Sequence, residues 1–170
     1  MLSIEGYKAM FGNVARPTLF LVTLQFPTGT PLNHSFHCKG ASIPTKSNGG
    51  FAMSFMGRKV QIPGDPDYED WTVHVYNDIG YTIRRKLEEW GELINNTKQN
   101  IGFSLLQEVK RDLLVVQLGS KQEILKSYTI VGAYPQNCGD VINLSWDTTD
   151  TPEEYSVTFK YDYWTSDTTK

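Results

Sequence analysis

Cysteine is nearly absent from this sequence: Cys38 and Cys138 are the only two in 170 residues. Far apart and in no C-x-x-C pair, they make no disulfide framework and read as small, part-buried side chains of a reducing compartment. Long hydrophobic runs are missing too. The longest, Leu19 to Leu24, is interrupted by Thr23 and is too short to cross a bilayer. The first ten residues carry Glu5 and Lys8 and lack the basic start and apolar stretch of a signal peptide. There is no basic block either. A formal charge of −3 argues against affinity for nucleic acid through phosphate neutralisation. The expectation is a protein made and used in solution, with no membrane insertion.

Catalytic signatures are equally scarce. No H-E-x-x-H, G-x-S-x-G, G-x-x-x-x-G-K-[ST] or G-x-G-x-x-G occurs. His34, His37 and Cys38 lie close in sequence, but on a strand the two histidines point to opposite faces and no fourth ligand is near. His74 stands alone on a strand. Asp65, Asp67 and Glu69 imitate the start of a calcium loop, yet Asp70 replaces the turn glycine and Tyr76 the bidentate glutamate. Asp147, Asp150, Glu153 and Glu154 fall in a polar loop that offers no cleft for acid–base work. The N-x-S/T triplets at Asn33, Asn95 and Asn143 carry no weight without a secretion signal. No cofactor, metal or catalytic residue is expected.

What the chain does have is a globular composition, 39% hydrophobic and 21% charged, with 12% aromatics that suit strands and interfaces. Phe20, Val22, Leu24 and Phe26 alternate within Thr18 to Phe26, which predicts a strand. After the turn cluster Pro27 to Pro31, Leu32 to Gly40 reads as the returning strand of a hairpin. Ala41 to Ser54, with Pro44, Asn48, Gly49 and Gly50, reads as a long flexible loop. A short strand over Phe55 to Ile62, a turn over Pro63 to Asp70 and a strong strand over Trp71 to Asn77 follow.

Ile79, Ile83, Leu87, Trp90 and Ile94 form one apolar stripe at helical spacing, which Asn77 or Asp78 can cap. The helix's charged residues, Arg84, Arg85, Glu88, Glu89 and Glu92, read as a solvated face. Lys98 to Arg111 is polar and without pattern. Strands are expected over Asp112 to Leu118, Glu123 to Tyr134, Asp140 to Trp146 and Glu154 to Trp164. The last places Tyr155, Val157, Phe159, Tyr161 and Tyr163 on one face and looks like an unguarded edge open to pairing with another copy. Seven to eight strands and one helix make a mainly β protein: two packed antiparallel sheets, or a flattened barrel, with a flanking α-helix. The chain reads as one domain over 1–170, with an extended lead over about 1–17 and a short tail over about 165–170.

Three segments carry a resemblance: ARPTLFLVTL (Ala15 to Leu24), FMGRKVQIPGDPDYEDWTVHVYND (Phe55 to Asp78), and YPQNCGDVINLSWDTTD running on to VTFKYDYW (Tyr134 to Trp164). Through F-M-x-R-K, G-D-x-x-x-x-D-W-T-V and D-Y-W, kept in order and spacing, the chain resembles the tail tube proteins of contractile-tailed, T-even-like bacteriophages. It departs from them in a longer lead, a hairpin enlarged around Pro27 to Pro31 and a tail beyond Trp164. The resemblance implies a two-sheet fold with a flanking helix, six-subunit rings stacked into a hollow tube, and a lumen that conducts DNA without binding it specifically. It implies a place in the virion tail after assembly in the host cytoplasm, with the sheath, the baseplate and the tape-measure ruler as partners.

On this resemblance, Ala41 to Ser54 is the candidate ring-stacking loop, with Asn48, Gly49 and Gly50 for adaptability and Ile43, Phe51 and Met53 as apolar anchors. Arg58, Asp65 and Asp70 are candidates for ion pairs between subunits. A lumen that passes DNA calls for an acidic or neutral polar lining. A baseplate tube initiator, a secretion-system or bacteriocin tube subunit, and a monomeric small-ligand-binding β-barrel are the alternatives; the last predicts a dry apolar cavity.

Overall fold

In the computed structural model, residues 3–10, 15–28 and 37–169 are described. They form α1 (Ile4–Met10), β1 (Phe20–Thr23), β2 (Cys38–Ala41), β3 (Lys46–Phe55), β4 (Arg58–Tyr68), β5 (Trp71–Tyr76), α2 (Thr82–Ile94), α3 (Leu106–Val109), β6 (Arg111–Leu118), β7 (Ile124–Pro135), β8 (Glu154–Lys160) and β9 (Tyr163–Ser166). No helix among them is long and apolar enough to cross a membrane.

Alternation builds the two main sheets. Trp71, Val73 and Val75 are fully buried on one face of β5, and Tyr155, Val157 and Phe159 face the same way on β8. The antiparallel register sets them opposite one another, Trp71 to Phe159, Val73 to Val157 and Val75 to Tyr155. Val22, Leu113, Val115 and Ile130 do the same for β1, β6 and β7, and both sets join one core. The strand path runs β1-β6-β7-β8-β5-β2, with β9 beside β7.

One strand belongs to both sheets. β7 pairs with β6 and, as far as Val131, with β9; beyond Gly132 its Tyr134 and Pro135 pair with β8. Gly132 has φ +67, a left-handed conformation that lets the strand turn from one sheet into the other. The fold is therefore mainly β, in antiparallel sheets with a flanking helix, as the sequence pattern predicts.

Helix α2 closes the core with Ile83, Leu87 and Trp90. Its first N–H group is capped by Asp78, whose carboxylate accepts from the Thr82 backbone N–H (2.8 Å) and hydroxyl (2.6 Å). Trp90 donates its indole N–H to the Val109 carbonyl at 2.6 Å, which ties α3 to α2. Ile79 belongs to the predicted stripe but precedes the helix and is fully exposed.

Several local expectations are overturned. Residues 4–10 of the lead are helical rather than extended. The described part of the predicted returning strand, β2, pairs with β5 and not with β1; residues 29–36 lie outside the described set. The predicted C-terminal strand breaks at Tyr161–Asp162, and β8 lies between β7 and β5, so it is no open edge. Asp140 to Trp146 forms no strand. Ala41 to Ser54 is no loop either: from Lys46 it is the first strand of a ribbon with β4, which also absorbs the predicted turn as far as Tyr68.

Candidate assembly surfaces

The ribbon is the feature that most departs from a self-contained domain. Its register places Phe51 opposite Ile62, Met53 opposite Val60 and Phe55 opposite Arg58, so these side chains share one face. The other face carries Ala52, Ser54, Lys59 and Gln61. In a sheet that buried its apolar face these residues would be covered. Here Phe51 is 56%, Met53 55% and Phe55 66% exposed. The arm therefore pairs with itself and leaves its apolar face open.

Its root, by contrast, is fixed. Trp71 donates its indole N–H to the Ser42 carbonyl (2.7 Å), and Trp164 donates to the Thr45 carbonyl (3.2 Å). Tyr68, at the end of β4, meets Tyr161 edge to face with ring centres 6.1 Å apart. Between root and arm the register slips at Asn48–Gly50. A Cβ on Gly49 would approach the Asp65 carbonyl to 3.3 Å, and one on Gly64 would approach the Gly49 backbone to 3.2 Å. These glycines thus serve close backbone approach at a bulge, which re-aims the arm, and not loop flexibility. Of the predicted stacking residues, Asn48, Gly49 and Gly50 form the bulge, Phe51 and Met53 the arm, and exposed Ile43 lies within the root, between Ser42 and Thr45.

Arg58, Asp65 and Asp70 are not brought together. Arg58 follows the tip turn and Asp65 sits beyond it on the same strand, roughly 23 Å away at strand spacing. Asp70 pairs with Lys160 of its own chain at 3.3 Å. That pair and Lys110–Asp162 (2.6 Å) flank a cleft of about 480 Å³ lined by Ile94, Phe103, Leu106, Tyr134 and Tyr161. Burial pushes the Tyr161 phenol above its ordinary pKa.

The outward faces of the two sheets differ in charge. On the β1-β6-β7-β9 sheet, one row runs Thr23, Leu114, Thr129, Thr165 and another Leu21, Val116, Ser127. Neither row contains a charged side chain. The outward face of β5 and β8 and their neighbours carries Lys39 paired with Glu154 at 2.5 Å, His74 and Lys160.

A further surface escaped the sequence reading. In the segment 136–153, Val141 is 85%, Leu144 83% and Trp146 fully exposed. The apolar letters of Asp140 to Trp146 read as a buried strand; a burial pattern and an exposed interface look alike in one sequence. Among the described residues no group of three or more His, Cys, Asp or Glu side chains could hold a metal ion; His34 lies outside them. Burial pushes the Cys38 thiol up to about 12, which disfavours the thiolate form.

The comparisons fit this geometry. Residues 15–167 match the family model described as phage tail tube protein. The chain is 30% identical to tail tube protein gp19 of Enterobacteria phage T4 over 154 residues, covering 90% of this chain and 92% of that one. It is 25% identical to the tail tube protein of Serratia phage KSP90 over 162 residues, 92% and 91% of the two chains. Among solved structures, a chain of the PVC extracellular contractile injection system's sheath–tube complex in the extended state matches with a TM-score of 0.60 at 14% identity, over 98% of both chains. A chain of the anti-feeding prophage tube-terminating cap matches with a TM-score of 0.64 at 17% identity, over 90% of both.

Proposed function

The chain belongs to the phage tail tube protein family, a structural and not an enzymatic family, and from that premise we propose that copies close into six-membered rings which stack through the β3–β4 ribbon into a hollow tube. It is a structural subunit of the virion's tail tube. The observation that carries the stacking reading is the ribbon itself, a firmly rooted arm whose apolar face none of the described residues covers. Leaving that face in water costs about 25 cal/mol for each Å² that a neighbouring copy could cover. A head-to-tail contact between unlike surfaces builds a ring where the rotation closes and a filament where it does not.

The proposed partners are the sheath, the baseplate and a length-setting ruler. The sheath surrounds the tube, the baseplate starts it and a ruler sets its length. The solved sheath–tube complex of a contractile injection system supports the first of these. DNA passes through the lumen, which on this reading is lined by the outward face of the β1-β6-β7-β9 sheet, where β6 places Asp112 and none of the four strands places a lysine or arginine. Six copies of a chain carrying −3 make an anionic ring, which also disfavours phosphate adsorption.

The test is electron microscopy and sizing chromatography of purified protein alongside a Phe51→Ser/Met53→Ser/Phe55→Ser variant, both offered purified baseplates. The native chain is expected to give tubes or to extend baseplates. The variant, equally folded, is expected to stop at rings or monomers. Tubes of normal length from the variant would remove the ribbon from the stacking contact. A native chain that stays monomeric and fails to extend baseplates would overturn the proposed ring closure and stacking.

A further inference from the structure

We propose that the tip of the ribbon docks on the exposed 136–153 segment of a second copy, with Trp146 as its anchor. The inference rests on the stacking reading above and names the surface that receives the arm.

Both surfaces expose large apolar side chains that none of the described residues covers. At the tip, Phe55 is 66%, Met56 89% and Val60 52% exposed. On the segment, Val141, Leu144 and Trp146 stand at 83% or more. A fully exposed tryptophan is a costly surface residue in a monomer, and tryptophan is among the residues that dominate binding energy at interfaces. The segment is also long. It runs eighteen residues from Gln136 without a strand or helix of its own, which in a compact domain points to a functional loop.

Charge selects the partner. Residues 46–64 carry Lys46, Arg58 and Lys59 and no carboxylate; residues 136–153 carry Asp140, Asp147, Asp150 and Glu153 and no lysine, arginine or histidine. Among the described residues, no ion pair occupies Arg58, Lys59, Asp147 or Asp150. A cationic apolar tip and an anionic apolar loop are complementary, and that pairing steers encounter and fixes register. Two cationic tips, or two anionic loops, repel. The contact is therefore between unlike surfaces and propagates from copy to copy.

The tip turn adds an independent sign. Met56 and Gly57 have φ +45 and +78, the two left-handed positions of a tight hairpin turn. Such turns favour Asn or Gly at both positions. A bulky methionine at the first is strained, and strain kept at an exposed tip points to a contact that uses the side chain.

The experiment exchanges charges. Arg58→Glu/Lys59→Glu places an acidic tip against the native acidic loop. Asp147→Lys/Asp150→Lys places a basic loop against the native basic tip. Each variant alone is expected to need at least about tenfold more protein to form tubes, with circular dichroism and melting unchanged. Mixed in equal amounts, the two are expected to regain assembly, because each altered surface meets its complement on the other chain. Trp146→Ala is expected to raise the required concentration about tenfold or more. Normal assembly of each charge variant alone, or failure of the mixture to recover, overturns the pairing. The stacking reading stands or falls separately, on whether the Phe51→Ser/Met53→Ser/Phe55→Ser arm still makes tubes.

Discussion

At the scale of single residues, the core holds through a few polar contacts that no periodicity could announce. The stripe of Ile83, Leu87 and Trp90 was legible because buried helical positions recur every three or four residues. That the Trp90 indole would donate to the Val109 carbonyl was not, because the acceptor lies in the patternless stretch after the helix. Trp90→Phe keeps the ring and leaves that carbonyl without its donor. It is expected to cost about 1–3 kcal/mol in urea unfolding, and an unchanged midpoint would show the bond to be dispensable. Asp78 gives a pH-dependent counterpart. The Thr82 hydroxyl, then its backbone N–H, hold the Asp78 carboxyl below its ordinary 3.8, against some desolvation. A depressed carboxylate contributes stability that is fully present above 3.8 and is lost as pH falls through the folded-state value. Asp78→Asn is expected to lower the melting temperature at neutral pH and to flatten its decline below about pH 4. An acid limb identical to the native one would assign that decline to other carboxylates.

Among the secondary-structure elements, legibility tracked burial. β1, β5, β6 and β8 alternate because one face of each meets the core, and the sequence shows it. The ribbon's first strand reads as a loop, and its second as a strand that ends at Ile62, for the opposite reason. Its two faces see only solvent within the chain, and Gly49, Gly50, Pro63 and Pro66 carry the composition of a turn. The motif tryptophans Trp71 and Trp164 were legible as letters; their use as clamps on the ribbon's root required the fold. Since the arm packs on itself, replacing residues 50–63 with a two-residue Asn-Gly turn is expected to leave the melting temperature of the monomer unchanged while abolishing tubes. A fall of many degrees would mean that the arm supports the core. Met56→Asn separates the two roles more finely, because Asn tolerates the left-handed turn that Met endures. The monomer is expected to melt slightly higher and the tube to form less readily.

For the whole molecule, the fold class could be read from strand count and alternation, but the edges could not. The tyrosine-rich strand offered as an open edge is interior, since β7 crosses between sheets and covers it. The charge asymmetry of the two outward faces also needed the register, because only pairing shows that Thr23, Leu114, Thr129 and Thr165 form one row. On the proposed lumen lining, that row faces the passing DNA. A lumen that lets a polyanion slide must offer no fixed cation, because each phosphate neutralised by Lys or Arg adds a salt-dependent increment of affinity. If this face lines the proposed lumen, one lysine on it is repeated in every ring, and Thr129→Lys turns a lining without lysine or arginine into a ladder of cationic collars along the tube. Particles carrying it are expected to assemble normally and to release DNA more slowly, with added salt restoring the rate. Thr158→Lys, on the outward face of the other sheet, supplies the same charge away from the lumen and is expected to release DNA at the native rate. If Thr158→Lys slows release while Thr129→Lys does not, the lining belongs to the β5–β8 face instead. The ring would then turn the β1-β6-β7-β9 sheet toward the sheath.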